Sequence, residues 1–266
     1  MSESSKEFNP EQYWQERLGP FDLAAVGFRD LGLPFNRWVY RARRRVFRRV
    51  IGSLGEQWTG KQVLDIGSGT GFYVAEWSRA GASVTGSDLT RVAVERLRLA
   101  VPHAEFVQWD VAEEPPFRDA SYDAVSALDV LFHIVDDSRY ASAFANVARL
   151  LKEGGFFLFS ELLLHRETVR VTHQASRPLS EVEAFLNSSG LEIVARQPML
   201  VLMNPPIDSA NCLLRWLWRV IEAVVTRAPA IGGLVGAILY PFELLLGSLL
   251  AEGPSTEVIV CRKRTG

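Results

Sequence analysis

The sequence predicts an α/β fold in which helices cover a mostly parallel sheet. Short runs rich in β-branched and aromatic residues alternate with helix-length segments from residue 61 onward, and such alternation is typical of βαβ units. A glycine-rich loop, 67–71, joins the first of these runs to the segment that follows. The chain has 266 residues and 48% apolar content, which is enough to bury one sizeable core.

Seven strands are expected. The first five are shorter runs, and the last two flank an apolar segment; the predicted ranges are 63–66, 83–87, 105–109, 122–128, 156–161, 191–203 and 255–263. A helix is expected to begin near Asp136 or Asp137 and to stop at Gly154-Gly155. Its apolar stripe at helical spacing consists of Tyr140, Phe144, Val147, Ala148 and Leu151.

A second helix is expected to open on the capping box Ser180-Glu-Val-Glu183 and to end at Gly190. These elements divide the chain into three parts: an N-terminal helical cap (1–60), a sheet domain (61–206 with 252–266) and an apolar helical insertion (207–251). We expect the insertion to cover the substrate pocket or to form a dimer face.

Two segments suggest contact with a partner. Arginines crowd residues 41–50, a pattern usual for a solvated helix face but also suited to an anionic substrate, an acidic carrier protein or a lipid surface. Residues 230–251 are long and apolar enough to cross a bilayer. Pro241, Glu243 and the strands on either side argue against a crossing, so peripheral membrane contact is the alternative to a lid or a homodimer face.

Composition narrows the class of protein. The net charge of −2 gives no general attraction to nucleic acid, so no nucleic-acid partner is expected. The two cysteines, Cys212 and Cys261, and the scattered histidines lack metal-ligand spacing, and no metal is expected. The N-terminus is polar and unlike a signal peptide, which favours a cytoplasmic setting.

The glycine loop favours one class of ligand. Its spacing is G-x-G-x-G over Gly67, Gly69 and Gly71, and Asp65 stands two residues before it. A carboxylate there favours a ligand that carries an ammonium group, whereas it would repel a pyrophosphate. Asp88 closes the second predicted strand, where a carboxylate can accept from both hydroxyls of a ribose.

These residues resemble the signature of class I S-adenosylmethionine (SAM)-dependent methyltransferases, and the resemblance extends over 61–263. It also includes the run ALDVLFHIVD at 127–136, similar to that family's fourth-strand motif, and LLKEGGFFLFSE at 150–161, similar to its glycine turn and fifth strand. The resemblance implies a Rossmann-like sheet of seven strands with the last one antiparallel. It implies SAM as the cofactor and S-adenosylhomocysteine as its product.

By position in that signature, Asp65 and the three glycines would surround the methionine part of SAM. Asp88 would bind the ribose. Leu89, Asp110 and Val111 would lie at the adenine, and Leu128 would lie at the end of the fourth strand close to the transferring methyl.

Methyl transfer from a sulfonium requires mainly alignment of the acceptor. A base is needed only if the acceptor loses a proton, and His133, after the fourth strand, is the candidate; the alternative is that it only orders its loop. Substrate contacts are expected from His133 and from four further residues, Glu161, His165, His173 and Trp216. Asn204-Pro205-Pro206-Ile207 resembles an amino-methyltransferase tetrapeptide, but it follows the sixth strand and is interpreted as a turn.

The expected function is methylation of a small, lipophilic molecule, with oxygen favoured over carbon or nitrogen as the acceptor atom. Two alternatives stay open. The fold could bind SAM without methylating, as a cyclase or a regulatory binder, because a fold does not fix chemistry. The enzyme could also be associated with a membrane or a carrier protein.

Overall fold

A computed structural model describes residues 8–265. It contains one mixed sheet of nine strands. Their bounds are β1 Gln62–Ile66, β2 Ser83–Asp88, β3 Glu105–Gln108, β4 Tyr122–Ala127, β5 Leu151–Leu164, β6 Val169–Val171, β7 Gln174–Pro178, β8 Leu191–Pro198 and β9 Thr256–Lys263.

Eight α-helices are present in the described residues. Their bounds are α1 Pro10–Arg17, α2 Gly32–Ser53, α3 Phe72–Arg79, α4 Arg91–Ala100, α5 Asp137–Leu150, α6 Leu179–Ser188, α7 Cys212–Arg227 and α8 Gly232–Leu249. Helices α1 and α2 fall in the predicted cap, and α7 and α8 fall in the predicted insertion; the domain boundaries themselves stay predictions.

The main sheet has the order β3-β2-β1-β4-β5-β9-β8. The first five strands are parallel, and β9 inserts antiparallel between β5 and β8. The predicted seven-stranded sheet with an antiparallel last strand is therefore confirmed. The short strands β6 and β7 form an additional hairpin that the sequence did not indicate, and β7 pairs with the end of β5.

The sixth predicted strand is shorter than expected. Strand β8 ends at Pro198, and the buried segment 199–203 that follows is not a strand. The reason is a side chain from the insertion: the Glu243 carboxylate accepts hydrogen bonds from the backbone N–H groups of Val201, Leu202 and Met203. Those donors are satisfied without a neighbouring strand.

Two predicted helix ends are also wrong. Helix α5 begins after Asp136, as expected, but it stops at Leu150, because Leu151 already pairs with Tyr122 in the sheet. Helix α6 begins directly after Pro178, and no side chain caps it. Ser180 therefore lies inside the first turn, and the predicted capping box does not form.

Candidate active site

A cavity of about 970 Å³ opens at the carboxyl ends of β1, β2 and β4. Its walls come from the loops after these strands and after β3, and α1 and Tyr40 of α2 complete them. Open α/β sheets bind their ligands at this edge. The volume lies near the upper end of the roughly 300–1,000 Å³ found for ligand pockets, which suits a cofactor and a small acceptor together.

The glycine loop depends on its three glycines. Gly67, Gly69 and Gly71 all have φ between +52° and +81°, a region that other residues rarely adopt. A Cβ atom at Gly67 would lie 2.3 Å from a methyl carbon of Val130. Gly67 and Gly69 line the cavity, whereas Gly71 precedes α3 and packs against Leu97.

Asp88 fixes this loop to the end of β2. One carboxylate oxygen accepts from the backbone N–H of Gly69 at 2.9 Å. The other accepts from the backbone N–H and the hydroxyl of Thr90, at 2.8 and 2.7 Å. Asp88 also lines the cavity, and burial raises the pKa of its carboxyl. The oxygen bonded to Gly69 keeps a free acceptor position for a ligand hydroxyl.

Asp65 lies beneath the loop and not on the cavity wall. It is buried, and its carboxylate accepts from the hydroxyl of Ser126 at 2.6 Å. Trp77 in turn donates its indole N–H to the same hydroxyl. Burial raises the pKa of Asp65 to about 7. In this structure its observed contacts support the loop; its predicted role toward a cofactor ammonium stays a prediction.

The other cofactor candidates also border the cavity. Leu89, Asp110 and Val111 line it, and Leu128 lines it at the end of β4. Asp110 accepts from Arg139 at 2.6 Å. Arg139 also lines the cavity. No sequence pattern indicated it, because it belongs to α5, far along the chain from the glycine loop.

His133 lines the cavity beside Trp14 of α1. Its Nδ1 lies 2.8 Å from the carbonyl oxygen of His173. A carbonyl can only accept, so Nδ1 carries the proton and Nε2 is the unprotonated nitrogen. Burial lowers the pKa of His133 to about 4, which keeps the ring neutral at neutral pH.

The remaining predicted substrate residues are dispersed. His173 supplies the carbonyl that orients His133, and its ring stacks on Tyr13. Glu161 is fully buried within β5, where it accepts from the hydroxyl of Tyr140 at 2.6 Å, and burial raises its pKa to about 7. His165 is exposed and pairs with Asp208.

Trp216 is exposed by 59% on α7. Glu161, His165 and Trp216 are absent from the cavity wall formed by the described residues, and so is every residue of 207–251. The insertion packs against α2, where Gly232 and Gly236 allow a close approach to Phe35 and Trp38, and its role as a lid stays a prediction. The segment 204–207 is a turn, as interpreted, and Asn204 donates to Ser255 and Thr256.

The cavity also contains several polar groups that the sequence did not indicate. Asp129 lines it with φ +61° and forms an ion pair with Arg43, a buried member of the arginine run at 41–50. Tyr73 and Thr70 line the cavity, and their buried hydroxyls have no hydrogen-bond partner within residues 8–265. Buried polar groups rarely stay unpaired, so these hydroxyls fit a bound ligand that accepts or donates there.

The arginine run therefore is not one solvated face. Arg44 and Arg48 donate to the buried carboxylate of Glu76 on α3, which joins α2 to α3. Arg37, Arg41 and Arg45 remain exposed.

Residues 63–155 match the family model described as a methyltransferase domain. A ubiquinone biosynthesis O-methyltransferase from Alkalilimnicola ehrlichii is 36% identical over 157 residues, which are 54% of this chain and 62% of that protein. Over residues 63–155 the chain is therefore similar to methyltransferase domains. It spans less than two thirds of that relative's length.

Solved structures agree on the fold. A 1,6-didemethyltoxoflavin-N1-methyltransferase from Burkholderia thailandensis, solved with S-adenosylhomocysteine bound, superposes with a TM-score of 0.52 at 17% identity over 85% of this chain and 79% of that one. The [4+2]-cyclase SpnF superposes with a TM-score of 0.55 at 20% identity over 82% and 81%. These superpositions confirm the predicted fold.

Proposed function

We propose that this protein transfers the methyl group of SAM to an oxygen atom of a small, lipophilic molecule. One observation supports the proposal above the others: a single cavity brings together the glycine loop, Asp88 and a neutral, oriented His133. The cofactor and an acceptor could therefore occupy adjoining parts of one site.

The cofactor part would be formed by the glycine loop, Asp88 and the residues after β3. When bound, SAM supplies an electrophilic methyl group on a sulfonium. Asp88 would accept from the ribose, and Leu89 and Val111 would pack on the adenine beside Asp110. The unpartnered hydroxyls of Thr70 and Tyr73 would be satisfied by polar groups of a ligand.

The acceptor part would be mainly apolar. Trp14, Val26, Phe72 and Val130 line it together with the ring of Tyr40. Such walls favour a lipophilic acceptor through burial of apolar surface, and the small number of polar groups would set its orientation.

His133 is the residue that fits a base. As the new carbon–oxygen bond forms, the hydroxyl proton becomes strongly acidic, and the Nε2 lone pair can accept it. A pKa near 4 makes the imidazole a weak base, which suffices because the proton leaves an oxygen that is becoming positively charged. Oxygen is favoured as the acceptor atom because the relative from Alkalilimnicola ehrlichii is an O-methyltransferase by name.

The direct test is turnover. The protein is incubated with SAM and a panel of lipophilic phenols and catechols, and S-adenosylhomocysteine and methylated product are measured. Formation of both supports the proposal. Tight SAM binding without S-adenosylhomocysteine from any acceptor would favour the alternative of a non-methylating SAM binder, such as a cyclase or a regulatory protein.

The setting of the enzyme belongs to the same proposal. Both cysteines are free, Cys212 exposed and Cys261 buried, which is compatible with the predicted cytoplasmic setting, because thiols stay reduced there. Of the possible contacts through 41–50 and 207–251, the structure favours a membrane surface over a carrier protein or a homodimer, for the reasons that follow.

A further inference from the structure

Helix α8 presents a stripe of apolar side chains to solvent. Its members recur at helical spacing and are 55–70% exposed: Leu234, Ile238, Phe242, Leu245 and Leu249. The segment Pro229–Leu249 has a mean hydropathy of 1.7, yet only 17% of the apolar stretch is buried. A core helix of this hydropathy would be mostly buried, so this stripe requires another explanation.

Helix α7 adds a second stripe. Leu213, Trp216, Val220 and Val224 follow one another at spacings of three or four residues and are 37–67% exposed. Helices α7 and α8 contact each other, and both pack against α2. The exposed apolar side chains of α7 and α8 are called the outer face below.

The structure excludes a membrane crossing by α8 as it is packed here. Its buried side is fixed to the domain through Glu243, which accepts from three backbone N–H groups at 201–203. Gly236 lies so close to Trp38 that a Cβ atom would come within 2.6 Å of the indole. A helix with one side held on a folded domain can only lie along a surface.

Positive charge borders the outer face. Arg37, Arg41, Arg45 and Arg49 follow one another at four-residue spacing on the exposed side of α2. Arg41 lies over the ring of Tyr240 on α8, 5.6 Å from its centroid, and Arg49 reaches the carbonyl oxygen of Gly247. Helix α2 contains no acidic residue, although the chain as a whole has a net charge of −2.

Helix α7 continues this pattern. It exposes three arginines, Arg215, Arg219 and Arg227, and has one acidic residue, Glu222. The charged residue of α8, Glu243, is buried. Apolar stripes next to a predominantly basic border are the chemistry that an anionic lipid surface recognises.

We propose that α2, α7 and α8 dock this protein on the surface of an anionic phospholipid bilayer. The outer face enters the boundary between headgroups and acyl chains, and the arginines of α2 and α7 bind lipid phosphates. A second copy is a poorer occupant, because a two-fold contact through this face would bring the arginine rows of both copies together. An acidic carrier protein would match the arginines but would leave the long apolar stripe of α8 exposed.

The test is co-sedimentation of the full chain with vesicles of phosphatidylcholine alone and of phosphatidylcholine with phosphatidylglycerol at equal amounts. The wild type is expected to bind the anionic vesicles and to bind the neutral ones much more weakly. The double variant Ile238→Glu/Phe242→Glu should lose at least tenfold in affinity for anionic vesicles. Leu99→Glu is the matched control, because Leu99 is the most exposed large apolar residue of those between 8 and 265, at 85%, and lies on α4 outside the outer face.

A second pair of variants tests the charge. Arg37→Gln/Arg45→Gln should weaken binding to anionic vesicles by about tenfold or more, because each arginine near an anionic surface contributes about 1 kcal/mol. Arg118→Gln, an exposed arginine elsewhere, should change nothing. Circular dichroism and SAM affinity like those of the wild type establish that each variant is folded.

Three outcomes would overturn the proposal. The wild type could fail to bind either vesicle, or Leu99→Glu could lose binding as strongly as the double variant. Analytical ultracentrifugation could instead show a dimer that Ile238→Glu/Phe242→Glu dissociates, without vesicle binding by the wild type. None of these outcomes depends on methyl transfer, so the test is independent of the proposed activity.

Discussion

Asp88 shows how one side chain builds both a loop and a binding surface. Its carboxylate holds Gly69 and Thr90 through three hydrogen bonds while one edge of it faces the cavity. Because the loop has three glycines in the left-handed region, it has little conformational preference of its own. The hydrogen bonds of Asp88 therefore hold the glycine loop in one conformation, which the glycines alone would not do.

Replacement of Asp88 by Ala should therefore weaken SAM binding by about 10- to 100-fold, since hydrogen bonds to a charged group are worth roughly 1.5–3 kcal/mol each. Titration calorimetry on the folded variant measures this change. Asp119→Ala removes an exposed aspartate that pairs with Arg149 and serves as the control. An Asp88→Ala protein with the affinity of the wild type would mean that the ribose assignment is wrong.

His133 differs from a surface histidine in its protonation. Burial lowers its pKa to about 4, so the neutral ring persists through the mildly acidic range. If it is the base, His133→Gln should reduce kcat by about 10²–10⁴-fold with little change in SAM affinity. The wild-type enzyme should stay active down to about pH 4–5, below the ordinary histidine pKa near 6.5, and its rate should fall at lower pH. The variant should lack this fall in rate.

Stability provides the control for that experiment. Since the folded pKa of His133 lies below that of the unfolded chain, the unfolded chain binds the extra proton between about pH 6.5 and pH 4. The histidine therefore makes the free energy of unfolding decrease as the pH falls through this window. The difference between wild type and His133→Gln in urea denaturation isolates this contribution. A variant with normal kcat per folded molecule would leave His133 with a structural role alone.

At the scale of elements, the β6–β7 hairpin positions the segment that carries His133. The backbone carbonyl of His173, in the turn of this hairpin, accepts from the imidazole of His133. Arg177 of β7 donates to the backbone carbonyl of Ile134. Strands of three and five residues, the shorter of them fully exposed, carry little periodic signal. The sequence therefore places His133 at the right edge of the sheet but cannot reveal what orients it.

For the insertion, too, the sequence predicts the elements but not the tertiary contacts that hold them. Its helices follow from apolar periodicity, and the seven main strands follow from alternating runs and turn residues. Glu243, by contrast, looks in the sequence like a charge that interrupts an apolar helix, and only tertiary contact turns it into an acceptor for three backbone N–H groups. Arg43 is similar, since nothing distinguishes it from its arginine neighbours until α2 is placed over Asp129.

Glu243 yields a prediction for α8. Its removal leaves buried backbone N–H groups of 201–203 unpaired, so Glu243→Ala should lower the free energy of unfolding by about 1.5–3 kcal/mol. Urea denaturation measures the loss, and SAM affinity under native conditions should stay unchanged, because this segment does not line the cavity. Glu222→Ala, an exposed acid on α7, is the comparison and should fall within about 0.5 kcal/mol of the wild type. Equal effects from both variants would contradict the anchoring role.

At the scale of the whole molecule, helix α2 contributes to two surfaces, the cavity wall on one side and the border of the outer face on the other. Tyr40 of this helix lines the cavity, and Arg43 pairs with Asp129 at the cavity wall. Trp38, two residues before Tyr40 and so on the other side of the helix, packs against Gly236 and Tyr240 of α8. The arginines between these contacts divide in the same manner, some buried toward the sheet and others exposed beside the outer face. Docking and chemistry would thus share one rigid helix while using separate side chains.

Two tryptophans test this separation. Trp14 lines the cavity with its ring 4.9 Å from that of His133, so Trp14→Ala should weaken binding of SAM or the acceptor by roughly tenfold, in line with the loss of a well-packed aromatic contact. Trp216 is 59% exposed on the outer face, so Trp216→Ala should leave SAM affinity, kcat and KM for a soluble acceptor as in the wild type, and reduce binding to anionic vesicles. Both substitutions replace a tryptophan by alanine, so each variant is the control for the other. A rise in KM for a soluble acceptor in Trp216→Ala would show that the insertion serves the acceptor after all and that the two surfaces are not separate.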